Sequence, residues 1–163
     1  MNLTDVRFGK KEDAAAALVI WRTAASFWIE AGQPLWAVEQ FGLDRIQAQA
    51  EARQLVVGEE AGAVVACMLV EDGDRLMWRE AAPGEALYLH KLAALRAGSR
   101  QWASRLVEWA VAEARGRGIA LLRLDCTDRP ALIRIYEACG FARVDDAPLL
   151  LGGVLNHRME RRL

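Results

Sequence analysis

The chain has 163 residues, of which 53% are hydrophobic and 26% are charged. This length and composition are typical of one folded domain with its own core, and they exclude a disordered chain. The net charge of −1 gives no basic surface field, so we expect no nucleic-acid partner and no membrane partner. The early apolar run from Ala14 to Trp21 is too short to span a bilayer, and no signal pattern precedes it, so we expect a cytoplasmic protein.

The first half of the chain predicts a strand, two helices and a β-hairpin, in that order. A short strand, Val6–Phe8, precedes a long helix whose apolar stripe begins at Ala14 and which ends at Gly32 and Pro34. The elements that follow are a helix from about Leu43 to Arg53 and a hairpin of the apolar runs Leu55–Val57 and Ala63–Val70.

The second half predicts strands and helices in alternation, and then two strands from about Ala142. The elements are the strand Ala86–Ala94, a helix from about Arg100 to Arg115, the strand Ile119–Cys126, and a helix that Asp128 caps, Pro130 opens and Gly140 ends. A strand–helix–strand unit makes its two strands parallel, whereas hairpins are antiparallel. We therefore predict an α/β (α+β) fold, one domain over residues 1–163, with a mixed central sheet of about six or seven strands and about four flanking helices.

The segment Leu87–Phe141 contains a strand, a broken loop, an amphipathic helix, a second strand and a helix that ends in Tyr136-Glu-Ala-Cys-Gly-Phe141. It resembles the coenzyme A-binding half of the GCN5-related N-acetyltransferase (GNAT) family. The resemblance implies a V-shaped opening between the fourth and fifth strands, with acetyl-CoA as the cofactor. It also implies acetyl transfer to a primary amine of a small molecule or peptide by direct attack. On the same grounds, a homodimer through the C-terminal strands is expected.

Acetyl transfer from coenzyme A needs N–H donors for the pyrophosphate, a strand edge for the pantetheine amides, a base and an acid. By the resemblance, the backbone of Leu92, Ala93 and Ala94 would bind pantetheine and the acetyl carbonyl. The pyrophosphate would be bound by the N–H groups of Ser99, Arg100, Gln101, Trp102 and Ala103. Tyr136 would be the acid, because a phenol with a pKa of ~10 is protonated at neutral pH. His90 would be the base, directly or through water, because an imidazole with a pKa of ~6.5 suits proton transfer near pH 7.

The loop before the third helix departs from the family pattern, which reads Gln/Arg-x-x-Gly-x-Gly/Ala. Gly98 takes the position of the leading basic residue, Gln101 replaces the central glycine, and only Ala103 fits. Glycine is used in such loops because the backbone can approach phosphate without a Cβ in the way. A second hypothesis therefore stays open: a non-catalytic GNAT-fold binding or regulatory protein with a degenerate coenzyme A loop. The retention of His90 and Tyr136 favours the enzyme.

Other side chains carry further expectations. Tyr88 shares a strand face with His90 by period-two alternation, and two polar rings on one face suit a strand that lines a cleft. Trp78 fits either core packing or a substrate pocket. We expect Cys126 to be an inert core thiol and His157 to lie at the surface, and no cysteine pair has metal-ligand spacing. The acceptor itself is not identified by the sequence.

Overall fold

The computed structural model describes residues 5–95 and 99–163, so the predicted loop position Gly98 lies outside the described residues. The helices are α1 Ala14–Glu30, α2 Leu43–Glu51, α3 Ser99–Gly116 and α4 Pro130–Ala138. The strands are β1 Val6–Phe8, β2 Leu55–Glu60, β3 Ala63–Glu71, β4 Ala86–Ala94, β5 Leu121–Thr127, β6 Ala142–Arg143, β7 Leu149–Leu151 and β8 Val154–Arg162. In the described part of the chain, no helix has the length and apolar character that crossing a membrane requires.

The strands form one mixed sheet in the order β1-β2-β3-β4-β5-β8-β6, and β7 also pairs with β8. β4 and β5 are parallel, whereas β2 is antiparallel to β1 and β3, and β8 is antiparallel to β5. The predicted fold class is thus confirmed: an α/β fold with a mixed sheet and four α-helices. The tail has three strands rather than the two expected, because β6 and β7 pair with different parts of β8.

The chain divides into two compact units. The first comprises the chain up to Leu69 together with Lys91–Trp109. Its core contains Trp21, which is 1% exposed and stacks on Phe41 with ring centroids 5.5 Å apart. Gly58 in β2 has no side chain because the ring of Trp102 occupies that space: an added Cβ would lie 2.4 Å from a ring atom. This close approach holds the first part of α3 against the strands of the first unit.

The second unit comprises Val70–His90 and Ala110–Leu163. The segment between β3 and β4 packs against the sheet here, and its Trp78 forms a small core with Tyr88. The guanidinium of Arg123 lies 4.4 Å from the centroid of the Trp78 ring and donates hydrogen bonds to Tyr88 Oη, Glu85 and Glu160. A buried arginine with this many partners keeps its charge without an uncompensated desolvation cost.

The start of α4 corrects two sequence predictions. Arg129, not Asp128, is the N-cap residue, although Pro130 opens the helix and Gly140 ends it with a positive φ of 84°, as expected. Asp128 instead accepts a hydrogen bond from His157, whose Nε2 lies 2.8 Å from Asp128 Oδ1. His157 is only 4% exposed, so the expectation that it lies at the surface is wrong. Its carboxylate partner is what allows this imidazole to be buried.

Candidate active site

His90 lies in β4 just after this strand stops pairing with β5. The two strands pair from Ala86, which lies opposite Leu121, to Tyr88, which lies opposite Arg123, and both strands continue beyond these residues. The resemblance to the acetyltransferases predicts an opening between these two strands. Because side chains alternate along a strand, His90 lies on the same face of β4 as Tyr88. For the same reason, Asp125 lies on the same face of β5 as Arg123.

Carboxylates lie on both sides of the His90 imidazole. Nε2 is 3.9 Å from Glu71 Oε2, and Nδ1 is 3.9 Å from Asp125 Oδ1. These distances are too long for direct hydrogen bonds, and Nε2 is a buried atom with no hydrogen-bond partner among the described residues. The histidine side chain is 19% exposed, so solvent or a ligand can reach it. A carboxylate thus faces each ring nitrogen of His90.

Asp74 joins this cluster from the segment between β3 and β4. Its Oδ1 accepts hydrogen bonds from the backbone N–H groups of Leu76 and Met77, both 3.0 Å long, which fixes the turn. Ligand atoms of Asp74, His90 and Asp125 lie within 4.8 Å of one another, a set that could also hold a cation. The three acidic residues around His90 were not predicted from the sequence. A signal was present for one of them, since Asp125 is a charged residue two positions after Arg123 in an otherwise apolar strand.

Tyr136 lies in α4 and is half-buried, with its ring edge-on to Phe141 at a centroid distance of 6.2 Å. Burial raises the pKa of the Tyr136 phenol well above its usual value, and the nearby Cys126 and Asp125 raise it further. The hydroxyl therefore stays protonated through neutral and moderately alkaline pH. A group in this state can donate a proton but cannot serve as a base.

Tyr88 does not line a cleft. It is 1% exposed, and its hydroxyl accepts a hydrogen bond of 3.2 Å from Arg123 Nη1. Trp78, 6% exposed, packs beside it, so this tryptophan belongs to the core. Cys126 is 3% exposed, and burial raises the pKa of its thiol to about 12, which suits the unreactive core thiol expected from the sequence. Tyr88 thus belongs to the packed core. The next titratable side chain along β4 is that of His90.

In the first unit, β4 contains a local irregularity at Lys91. This residue has a φ of +52°, and its carbonyl accepts a hydrogen bond of 2.6 Å from Trp21 Nε1. A left-handed residue inside a strand interrupts the alternation of side chains, as in a β-bulge. Leu92, Ala93 and Ala94 follow this point, and Ala93 is buried while its two neighbours are half-buried. Their contribution to a ligand would come from the backbone.

The N-terminus of α3 lies at Ser99, the first of the residues expected to bind phosphate. Its first turn contains no acidic side chain. Trp102 and Ala103 are 2% and 3% exposed, so their side chains pack inside the first unit. Gln101 is exposed and helical, and it is not among the residues with positive φ. Replacement of the family glycine by Gln101 therefore needs no strained backbone, and its N–H has the same orientation as in any helix N-terminus.

Solved structures of acetyltransferases share this fold. A GNAT-family acetyltransferase from Listeria monocytogenes 4b F2365 has a TM-score of 0.75 and 23% identity, covering 97% of this chain and 94% of that one. A putative acetyltransferase from Salmonella typhimurium, solved with acetyl-CoA, has a TM-score of 0.69 and 23% identity, covering 97% and 92%. An aminoglycoside acetyltransferase in complex with coenzyme A and kanamycin has a TM-score of 0.72 and 18% identity, covering 96% and 93%. The class of fold is thus that of acetyltransferases.

The sequence itself gives the family. A model of the acetyltransferase (GNAT) family matches residues 17–141, which is more than half of the 163-residue chain. The chain therefore belongs to the GNAT acetyltransferase family. No curated protein sequence matches it significantly.

Proposed function

We propose that the chain, as one domain over residues 1–163, is an N-acetyltransferase that transfers the acetyl group of acetyl-CoA to a primary amine of a small molecule or peptide. The observation that carries the proposal is the setting of His90, with Glu71 and Asp125 each 3.9 Å from a ring nitrogen. Membership of the GNAT family supports it, as do the similar structures solved with acetyl-CoA or coenzyme A.

The residues of the first unit suit the cofactor. Coenzyme A is an anion, and the N-terminus of α3 has N–H groups without intrahelical partners and no acidic side chain in its first turn. The proposed pyrophosphate donors are the first N–H groups of the segment Ser99–Ala103, and the backbone of Leu92–Ala94 would bind the pantetheine amides. When bound, acetyl-CoA supplies a thioester that is open to attack by an amine.

The residues of the second unit suit the proton transfers. His90 would take a proton from the acceptor amine at a ring nitrogen, directly or through one water. Glu71 and Asp125 would stabilise the imidazolium that results. Tyr136 would give its phenolic proton to the departing sulfur, and its raised pKa keeps that proton available. No covalent intermediate on the protein is needed, because the amine attacks the thioester directly.

The proposal is tested by release of free coenzyme A thiol from acetyl-CoA in the presence of a panel of primary amines. We expect His90→Gln to lower kcat about 100-fold, the low end of general base effects. His157→Gln is the matched control, since the chain has two histidines and His157 is buried against Asp128. An equal loss in both variants, or none in His90→Gln, would refute the role of His90.

We also propose that the partners are limited to the acceptor amine and a second copy of the chain. The net charge of −1 offers no basic field for nucleic acid. If the second hypothesis holds and the chain is a non-catalytic binding protein, even the wild type will release no coenzyme A thiol in response to an amine.

A further inference from the structure

A cavity of about 350 Å³ lies in the second unit, and most of its walls are aliphatic. Leu76 and Met77 form one side, from the segment between β3 and β4, and Leu149–Leu151 of β7 form the other. Leu76 is 60% exposed and Leu150 is 70% exposed. Large apolar side chains that remain exposed around a concave site are typical of a ligand-binding surface.

The turn and the strand pair that line this cavity also hold residues of the His90 cluster. Asp74 accepts hydrogen bonds from the backbone of Leu76 and Met77, so the turn that shapes the cavity also fixes an acidic member of the His90 cluster. On the sheet, the cavity residue Arg158 is the register partner of Asp125. Arg158 also donates a hydrogen bond of 3.3 Å to the carbonyl of Met77.

The surroundings of His90 and the cavity differ in the charges of their side chains. Glu71, Asp74 and Asp125 are acidic and surround His90, which suits an ammonium group. The cavity contains two arginines, Arg79 and Arg158, together with Glu80. Arg158 is paired with Asp145 through two hydrogen bonds of 2.6 and 2.7 Å, so it is held in place as part of the wall. With Glu80 beside Arg79 and Asp145 on Arg158, the cavity has no excess negative charge that would stabilise a second ammonium group.

We propose that this cavity is the acceptor subsite and that the acceptor is a monoamine with an apolar body. Its ammonium group lies among Glu71, Asp74 and Asp125 next to His90, and its alkyl or aryl part lies on Leu76 and Leu150. The inference rests on the proposed function for its acetyl-transfer part, but amine binding is measurable by itself. Polyamines and aminoglycosides are disfavoured, because they carry several positive charges and little apolar surface.

The test compares 2-phenylethylamine, spermidine and kanamycin by calorimetric titration in the presence of coenzyme A, and by acetylation with acetyl-CoA. We expect 2-phenylethylamine to bind tightest of the three. Leu150→Ser and Leu76→Ser should each weaken its binding and raise its KM about tenfold with little change in kcat, which is the effect of a lost apolar contact. Leu43→Ser is the matched control, because Leu43 is 39% exposed in α2 and does not line the cavity.

Three results would overturn the inference. They are a preference for spermidine or kanamycin, no binding of 2-phenylethylamine, or equal effects of Leu150→Ser and Leu43→Ser. Sedimentation of the same variants would reveal whether the leucines instead cover a second copy of the chain, since Leu150→Ser would then dissociate a dimer without changing amine binding. If 2-phenylethylamine binds in a Leu150-dependent way but is not acetylated, the proposed function fails and the subsite stands.

Discussion

At the scale of single residues, Tyr136 gives the sharpest prediction about the chemistry. Tyr136→Phe removes the phenolic proton but keeps the ring that packs on Phe141, so the fold should be preserved. We expect kcat to fall about 100-fold, with unchanged affinity for acetyl-CoA, because a general acid acts only in the transition state. Steady-state kinetics measures both quantities. The control is Tyr88→Phe, which removes the only other tyrosine hydroxyl of the chain, and equal losses in the two variants would contradict the role of Tyr136.

The raised pKa of Tyr136 also predicts how kcat depends on pH. Because burial keeps the phenol protonated above its usual pKa of ~10, loss of its proton should not limit kcat anywhere between pH 7 and 10. A pH profile of kcat between these limits is the measurement. A fall with an apparent pKa near 8 in the wild type that disappears in Tyr136→Phe would contradict this account.

Asp13 provides a prediction about stability and pH. Its carboxylate accepts hydrogen bonds from Arg7, 2.7 and 3.1 Å long, and from the N–H of Lys10, 2.7 Å long. The hydrogen bond from Arg7 lowers the pKa of Asp13. A lowered carboxyl pKa stabilises the folded state above the unfolded pKa of ~3.9, and this contribution is lost as the pH falls through the folded value.

We therefore expect Asp13→Asn to lower the free energy of unfolding by ~1–2 kcal/mol at pH 7, and the difference from the wild type to shrink below about pH 3. Urea unfolding at both pH values measures this. Asp72→Asn is the control, because Asp72 pairs with Arg117 but is 80% exposed, so its loss should have little effect. A constant difference between Asp13→Asn and the wild type at both pH values would show that the charge is not the cause.

At the scale of elements, the contact of Gly58 in β2 with Trp102 in α3 can be tested by adding one methyl group. Gly58→Ala places a Cβ 2.4 Å from the Trp102 ring, so the ring must move. We expect a loss of ~1–3 kcal/mol in the free energy of unfolding, the usual effect of overpacking. Gly73→Ala is the matched control, because nothing lies within 4 Å of its added Cβ. Equal stabilities of the two variants in urea unfolding would show that Trp102 does not pack as described.

Elements whose causes lie in the local sequence were predicted well. The bounds of β4, Ala86–Ala94, are those read from the sequence, because an apolar run after Pro83-Gly84 is a local signal. Pro130 and Gly140 likewise indicated the ends of α4. These signals need no knowledge of the neighbours in space.

Features that depend on residues far along the chain were missed. The left-handed conformation of Lys91 goes with a hydrogen bond to Trp21, 70 residues earlier. The burial of His157 depends on Asp128, 29 residues earlier. The acidic cluster around His90 brings together Glu71 and Asp74, from the end of β3 and the turn after it, with Asp125 from β5. Tertiary contacts of this kind leave no periodicity in the sequence, so His90 was predicted as a candidate base without its neighbours.

At the scale of the whole molecule, the departure of the loop from the family pattern is the feature that separates an active acetyltransferase from a binding protein. Gln101 replaces a glycine, yet it is an ordinary helical residue with an exposed side chain. If the backbone alone binds phosphate, the side chain at this position should matter only through its charge. Gln101→Ala should then bind acetyl-CoA as the wild type does.

Gln101→Glu adds a carboxylate at the helix N-terminus, which stabilises the helix but repels phosphate. We expect its affinity for acetyl-CoA to fall about tenfold while the melting temperature is maintained or rises. Gln49→Glu, in α2, is the control for the change in net charge. The same affinity in Gln101→Glu and the wild type would mean that the pyrophosphate does not lie at the start of α3.

The most direct test of the whole account is calorimetric titration of the wild-type protein with acetyl-CoA. We expect one site per chain with a micromolar Kd, because the N-terminus of α3 and the backbone of β4 are both suited to the cofactor. The absence of binding up to about 1 mM, above the usual range of substrate affinities, would contradict it. The chain would then be a member of the acetyltransferase family that no longer uses acetyl-CoA.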